Sequence, residues 1–149
     1  MNKLLRLSVN IEFSNDLTQP VLRMLVKREA VSDFCLGLCL LQEALVDVLI
    51  VADVHSTKSL KLRLKSEKDR DPRAQMSVKQ EAVVVDLPAT ALKYLLYFFL
   101  RYYRDGVAEV DHVDLETVGP EHVSGYVTVK VDDFAAPVSP EEAARRLSM

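Results

Sequence analysis

The chain has 149 residues, of which 49% are hydrophobic and 28% charged; these proportions indicate a folded globular protein and exclude an intrinsically disordered chain. This length is enough for one well-formed core and short for two, so we expect a single domain over residues 1–149. With 19 basic and 22 acidic residues, the formal net charge is −3, which argues against general affinity for nucleic acid.

The first predicted element is a strand. In "LLRLSVNIEF" (residues 4–13) apolar and polar residues alternate, which is typical of a half-buried strand and unlike the unbroken apolar stretch of a secretory signal. The turn-forming residues that follow predict a helix that starts near Thr18. For 21–45 three alternatives stay open: one helix, two shorter helices, or a strand at 21–26 followed by a helix.

The two cysteines, Cys35 and Cys39, are four residues apart, so on a helix they share one face. Two cysteines are too few for a disulfide framework, and a zinc site would need ligands from elsewhere in the chain. We interpret them as reduced thiols that act as small core residues, and we predict no cofactor.

Residues 46–65 predict a β-hairpin, because apolar residues occupy the even-numbered positions of both strands. Three basic residues alternate with the leucines of the second strand and are expected to point outward: Lys61, Arg63 and Lys65. We interpret this row as charges that protect an edge strand from aggregation. The mixed-charge segment 66–75 then predicts a solvated, mobile loop.

The second half of the chain repeats this order of elements. An apolar run that ends at Asp86 predicts a strand, and residues 88–104 predict a helix that Gly106 terminates in the left-handed conformation. Residues 108–117 and 125–131 then predict a pair of strands.

Both halves therefore follow the order strand, helix, strand, strand. We predict an α+β fold, with an antiparallel or mixed sheet covered by two main helices. A pseudo-repeat of two βαββ halves, 1–66 and 80–133, is compatible with this order. A capping box that starts at Ser139 predicts a short C-terminal helix over 139–148.

The predicted helix 88–104 is the main functional candidate because it is apolar on more than one side. One stripe is expected to face the sheet: Ala91, Leu92, Leu95, Leu96, Phe99 and Tyr103. On the opposite side lies what we call the basic-aromatic strip: Lys93, Tyr94, Tyr97, Arg101 and Arg104. Tyrosine and arginine are enriched at protein interfaces, so we predict that this strip binds a protein partner or a second copy of the chain. The alternative is that the tyrosines lie flat on neighbouring strands.

Two pairs of histidine and aspartate form an alternative site. Asp53 and His55 end one predicted strand, and Asp111 and His112 lie in another. Two histidines and two carboxylates suit a divalent metal, and they are also what a small enzyme would need to line a cleft. However, no metal-ligand spacing, nucleophile elbow or phosphate loop supports that reading. We interpret "VDHVDLE" (110–116) as a bulged, half-exposed strand.

These observations favour a non-catalytic interaction module over a small enzyme or ligand-binding domain. Immunity proteins, secretion chaperones and adaptor subunits have similar size and charge, an analogy that depends on no shared motif. The longest apolar regions, near 34–54 and 87–103, are interrupted by charged or amide side chains, whereas a membrane span needs ~20 consecutive apolar residues. We therefore expect a cytoplasmic protein with a protein partner and neither a membrane segment nor a nucleic-acid ligand.

Overall fold

The secondary structure comes from a computed structural model, which describes residues 2–7, 9–15, 20–53, 56–79, 82–106, 112–120, 123–132 and 140–148. The strands are β1 (Asn2–Leu7), β2 (Val9–Asn15), β3 (Pro20–Lys27), β4 (Val48–Asp53), β5 (Ser59–Leu64), β6 (Ala74–Lys79), β7 (Ala82–Leu87), β8 (His112–Val118) and β9 (Ser124–Asp132). The helices are α1 (Val31–Gln42), α2 (Ala89–Asp105) and α3 (Pro140–Leu147), and a 3-10 turn (Arg28–Ala30) precedes α1. The predicted α+β class is confirmed.

The strands form one mixed sheet in the order β1-β4-β5-β7-β6-β8-β9-β3-β2. The first and last strands of this order, β1 and β2, are consecutive in the sequence, with only residue 8 between them. The sheet therefore curls until it is nearly barrel-shaped, with eight strands if β1 and β2 are counted as one.

Each half of the chain forms a ββαββ unit, so the predicted βαββ halves are not confirmed. The first unit has the hairpin β2–β3, helix α1 and the hairpin β4–β5; the second has β6–β7, α2 and β8–β9. In each unit the first strand also pairs in parallel with the third, β1 with β4 and β6 with β8. The units join through the parallel pairs β5–β7 and β9–β3. The same strand order thus occurs twice, and α1 and α2 occupy equivalent places.

Residues 20–27 form a strand, which agrees with the alternative of a strand at 21–26 and not with a helix that starts near Thr18. Leu22, Met24 and Val26 are buried on one face of β3, which has β2 on one side and β9 on the other. Two neighbouring strands outweigh the helical propensity of this segment. Pro20 is the first residue of β3, a position where its missing N–H is tolerated.

The predicted β4–β5 hairpin is present, but the buried face of β4 and the position of β5 in the sheet differ from the prediction. In β4 the odd-numbered residues Leu49, Val51 and Asp53 are buried, while the apolar even-numbered face is partly exposed. The sequence was ambiguous here because both faces of β4 are mostly apolar. β5 lies between β4 and β7, so the interpretation of its basic residues as protection of an edge strand was wrong.

The two helices pack against each other as well as against the sheet. The rings of Phe34 in α1 and Phe99 in α2 are stacked, with centroids 5.1 Å apart. A Cβ atom built on Gly106, after α2, would lie 3.2 Å from the guanidinium of Arg28, before α1, so the start of α1 lies beside the end of α2. Both helices share one hydrophobic core with the strands. The predicted simple layer of two helices over a sheet is therefore not confirmed.

Within the part of the chain that the structure describes, no helix has the combination of length and apolar character that crossing a membrane requires.

Candidate protein-binding surface on helix α2

Helix α2 has one fully packed face. Its side chains on that face are buried in the shared core: Leu92, Leu95, Leu96, Phe98, Phe99 and Tyr102. The helix begins after Pro88 and ends at Gly106, which has φ 74° and donates its N–H to the carbonyl of Tyr102 at 2.8 Å. Glycine adopts this left-handed conformation without the strain of a Cβ atom. The buried side chains determine which side of α2 faces solvent, and Gly106 determines where the helix ends.

All residues of the basic-aromatic strip lie on the exposed face of α2. Tyr94 and Tyr97 are each 56% exposed, although Tyr94 also lines a small pocket with Asp114 and Glu116 of β8. The ammonium of Lys93 lies 5.7 Å from the ring centroid of Tyr97, within the range of a cation–π contact. The strip is thus a continuous surface of aromatic rings and positive charges.

Tyr103 does not face the sheet as the sequence predicted. Tyr102 is 6% exposed and packs in the core, whereas Tyr103, predicted to face the sheet, is 65% exposed. Tyr102 and Tyr103 lie three and four residues after Phe99, and both spacings keep a side chain on the same helix face. The sequence therefore could not tell which of the two tyrosines is buried. Tyr103 and Leu100 join Tyr97, Arg101 and Arg104 in lining a surface groove of about 660 Å³.

The charges on this surface are mainly basic. Arg104 donates two hydrogen bonds to the carboxylate of Asp105, at 2.7 and 2.8 Å, and this hydrogen bonding lowers the pKa of Asp105. Arg101 is 4.0 Å from the same carboxylate. Exposed ion pairs of this kind add little stability, so both arginines keep their capacity to contact an acidic partner.

The two described residues of the alternative metal site, Asp53 and His112, lie on strands that are not neighbours. β4 ends at Asp53 and β8 begins at His112, with β5, β7 and β6 between them in the sheet. His55 and Asp111, as well as the third histidine, His122, lie outside the described residues. Among the described residues, no group of three or more histidine, cysteine, aspartate or glutamate side chains is arranged to hold a metal ion.

Asp53 supports the sheet where the chain changes partner. Strand β1 pairs with β4, and this pairing ends where Leu7 lies opposite Asp53. The chain then continues as β2, which pairs with β3. Beyond that point the buried carboxylate of Asp53 accepts the backbone N–H of Ile11 at 3.2 Å. The ammonium of Lys58 donates to the Ile11 carbonyl at 3.4 Å. Two side chains thus satisfy backbone groups that have lost a neighbouring strand.

The described part of "VDHVDLE" is a half-exposed strand. In β8, Val113 and Leu115 are buried while His112 and Asp114 are exposed. The Nε2 atom of His112 lies 3.3 Å from Asp114, whose other carboxylate oxygen accepts the hydroxyl of Thr128 at 2.7 Å. The predicted bulge includes Asp111 and so lies partly outside the described residues.

Lys65, expected to point outward, is buried and organises the segment predicted as a mobile loop. Its ammonium donates to the carbonyls of Asp71 and Arg73, at 2.8 and 2.7 Å, and lies 3.3 Å from the carboxylate of Asp69. The side chain of Arg73 hydrogen-bonds to Asp71 and lowers the pKa of that carboxyl to about 2. The strand alternation failed here because β5 ends at Leu64.

Both cysteines are free thiols in α1, with Cys35 buried and Cys39 partly buried. Burial, and to a smaller extent the neighbouring Cys39, raises the pKa of Cys35 to about 11. The Cys35 thiol therefore stays protonated near neutral pH in the protein as described, and a protonated thiol is a poor nucleophile.

A comparison with models of protein families finds no match for the chain, and a comparison with curated proteins finds no similar sequence.

Proposed function

We propose that this protein is a non-catalytic protein-binding module and that the basic-aromatic strip of α2 is its binding surface. The observation that carries the proposal is the exposure of Tyr94 and Tyr97 at the centre of a helix whose other face is fully packed. Large exposed apolar areas are uncommon on proteins that bind nothing. Tyrosine and arginine also supply a large share of the binding energy in known interfaces.

The chemistry of the strip indicates a partner with both acidic and apolar groups. Lys93, Arg101 and Arg104 place three positive charges around the rings, and Asp105 is the only acidic residue of α2. Acidic groups on the partner would pair with the arginines at the rim, while apolar side chains would cover Tyr97 and Leu100. Two copies of the strip would repel each other, so the strip does not bind itself face to face.

The test is a Tyr97→Ala/Arg101→Ala double variant, used as bait beside the wild type for proteins from the native lysate. Because both side chains are exposed, the variant should keep the wild-type fold and lose the co-purifying partner. The matched control is Lys61→Ala/Lys130→Ala, which removes two exposed charges from the sheet surface and should retain the partner. If the strip variant keeps the native oligomeric state and every co-purifying protein, the strip is not the binding surface.

A further inference from the structure

Helix α1 has its own exposed strip, and its charge is opposite to that of α2. Leu36 is 54% exposed on the face of α1 that points away from the core. Leu40 packs against the core at the edge of this face and keeps part of its side chain exposed. Asp33 and Glu43 are exposed on the same face, one on each side of the leucines. We call these four residues the acidic-apolar strip.

The two strips have the same spacing on equivalent helices. Residues 33, 36, 40 and 43 are separated by three, four and three positions, as are residues 94, 97, 101 and 104 of the basic-aromatic strip. From residue 31 to residue 43 the sequence has no lysine, arginine or histidine. One helix of the pair therefore presents carboxylates and leucines, and the other presents guanidinium groups and tyrosines.

We infer that the acidic, apolar partner of the basic-aromatic strip is the acidic-apolar strip of a second copy of this chain. The inference rests on the proposed function, because it identifies the partner of that same surface. Leu36 and the exposed part of Leu40 would cover Tyr97 and Leu100, while Asp33 and Glu43 would meet the basic side chains. Opposite charges at the rim would fix the register of the contact.

The arrangement of the helices allows both contacts to form in one symmetric dimer. α1 and α2 lie side by side and run in roughly opposite directions, since the start of α1 is beside the end of α2. A two-fold axis along the helices, midway between two copies, would place α1 of each copy on α2 of the other. Such an interface is closed and contains each contact twice.

The helix pair is large enough for such an interface. The 17 residues of α2 give it a length of about 25 Å, and two helices side by side are about 20 Å wide. Because α1 has 12 residues and is about 18 Å long, the layer has a projected area of about 400–500 Å² per partner, the size of a small and weakly associating interface.

The experiment uses two charge-reversed variants of the full chain and sedimentation to measure association. The first, Arg101→Glu/Arg104→Glu, makes both strips acidic; the second, Asp33→Lys/Glu43→Lys, makes both basic. Wild type should be a dimer that weakens with added salt, and each variant alone should raise the dimer dissociation constant by about a hundredfold. An equimolar mixture of the two variants should restore a one-to-one dimer, because each acidic strip again meets a basic one.

Two controls keep the result interpretable. Lys61→Glu/Lys130→Glu changes the net charge by the same amount on the sheet surface and should remain a dimer. Leu36→Ser changes no charge and should weaken the dimer, which tests the interface if either charge-reversed variant fails to fold by circular dichroism.

Different failures separate the two proposals. A monomeric wild type whose captured partner is lost in Tyr97→Ala/Arg101→Ala would overturn the dimer and support the proposed function. A wild-type dimer that neither folded charge-reversed variant weakens would overturn the inferred dimer interface. Folded variants that stay monomeric when mixed would overturn the pairing of α1 with α2.

Discussion

Helices α1 and α2 have the same place in two equivalent units, yet they differ at their exposed faces and at their ends. Both bury an apolar face in the same core, where Phe34 of one stacks on Phe99 of the other. Their exposed faces carry opposite charges, and their last turns close on different residues, Ala44 and Gly106. The core therefore imposes the same requirement on both helices, whereas the surface of each is free to serve a different contact.

The largest expected effect concerns the feature that the helices share. Phe34→Ala and Phe99→Ala should each reduce the free energy of unfolding by about 3–5 kcal/mol, because each leaves a cavity in a packed core. Since the rings are in contact, the double variant should lose less than the sum of the single losses by about 0.5–1.5 kcal/mol. Urea unfolding measures all three values. A loss below about 1 kcal/mol for either single variant would contradict the shared core.

A second prediction concerns the strand that opens each unit. In the first unit this strand is divided into β1 and β2, and Asp53 accepts the Ile11 N–H beyond the division; in the second unit β6 is undivided. Asp53→Ala should reduce the free energy of unfolding by about 1–3 kcal/mol, because it leaves a buried N–H without an acceptor. Asp53→Asn keeps an acceptor oxygen and should cost less. If chemical denaturation shows the same loss of unfolding free energy for Asp53→Ala and Asp53→Asn, the hydrogen bond to the Ile11 N–H does not account for the stabilisation.

The ends of the helices give a matched pair of opposite substitutions. Ala44 has φ 56° and Gly106 has φ 74°, so both adopt the left-handed conformation that favours glycine. Ala44→Gly should stabilise the protein by about 0.5–1 kcal/mol, because relief of strain exceeds the entropy that glycine adds to the unfolded chain. Gly106→Ala should destabilise it by about 1 kcal/mol, and the Arg28 guanidinium would also have to move. Thermal unfolding measures both effects. Melting temperatures that shift in the same direction for Ala44→Gly and Gly106→Ala would contradict the predicted difference between the two helix ends.

The smallest effect on stability is expected where the effect on binding is largest. Tyr97→Ala/Arg101→Ala on α2 and Leu36→Ser on α1 change exposed side chains, so each should shift the free energy of unfolding by no more than about 0.5 kcal/mol. The same variants should lose partner binding and dimerisation, respectively. A large loss of stability in either variant would mean that the affected strip has a structural role, and denaturation curves recorded beside the binding assays would reveal it.

Local patterns predicted the elements that depend on local contacts. The period of α2, its end at Gly106 and the β4–β5 hairpin all follow from residues close together in the sequence. Strand β6 was missed, and β3 was expected only as one alternative, because the stability of both strands comes from partners far along the chain, β9 for β3 and β8 for β6. The sequence of β3 favours a helix, and only the neighbouring strands make it extended.

The candidate surface on α2 was predictable because it depends on the helical spacing of residues that are close together in the sequence. Helical spacing alone located Tyr94, Tyr97 and Arg101 on the face away from the core. It did not distinguish Tyr102 from Tyr103, because both fit the end of the buried stripe. The acidic-apolar strip of α1 has an equally regular spacing, but the uncertain boundary of that helix concealed it. The burial of Lys65 depends on the path of the loop that follows and has no signal in the alternation of β5.

An oxidative footprint of the five tyrosines tests most directly whether the exposed face of α2 is the binding surface. It compares the complex that the wild type forms with the dilute free protein. Tyr94, Tyr97 and Tyr103 are exposed on α2, Tyr126 is exposed on β9 away from it, and Tyr102 is buried. The account predicts that association protects the three exposed tyrosines of α2 and leaves Tyr126 as reactive as before. Protection of Tyr126 with no change at Tyr94, Tyr97 and Tyr103 would contradict it.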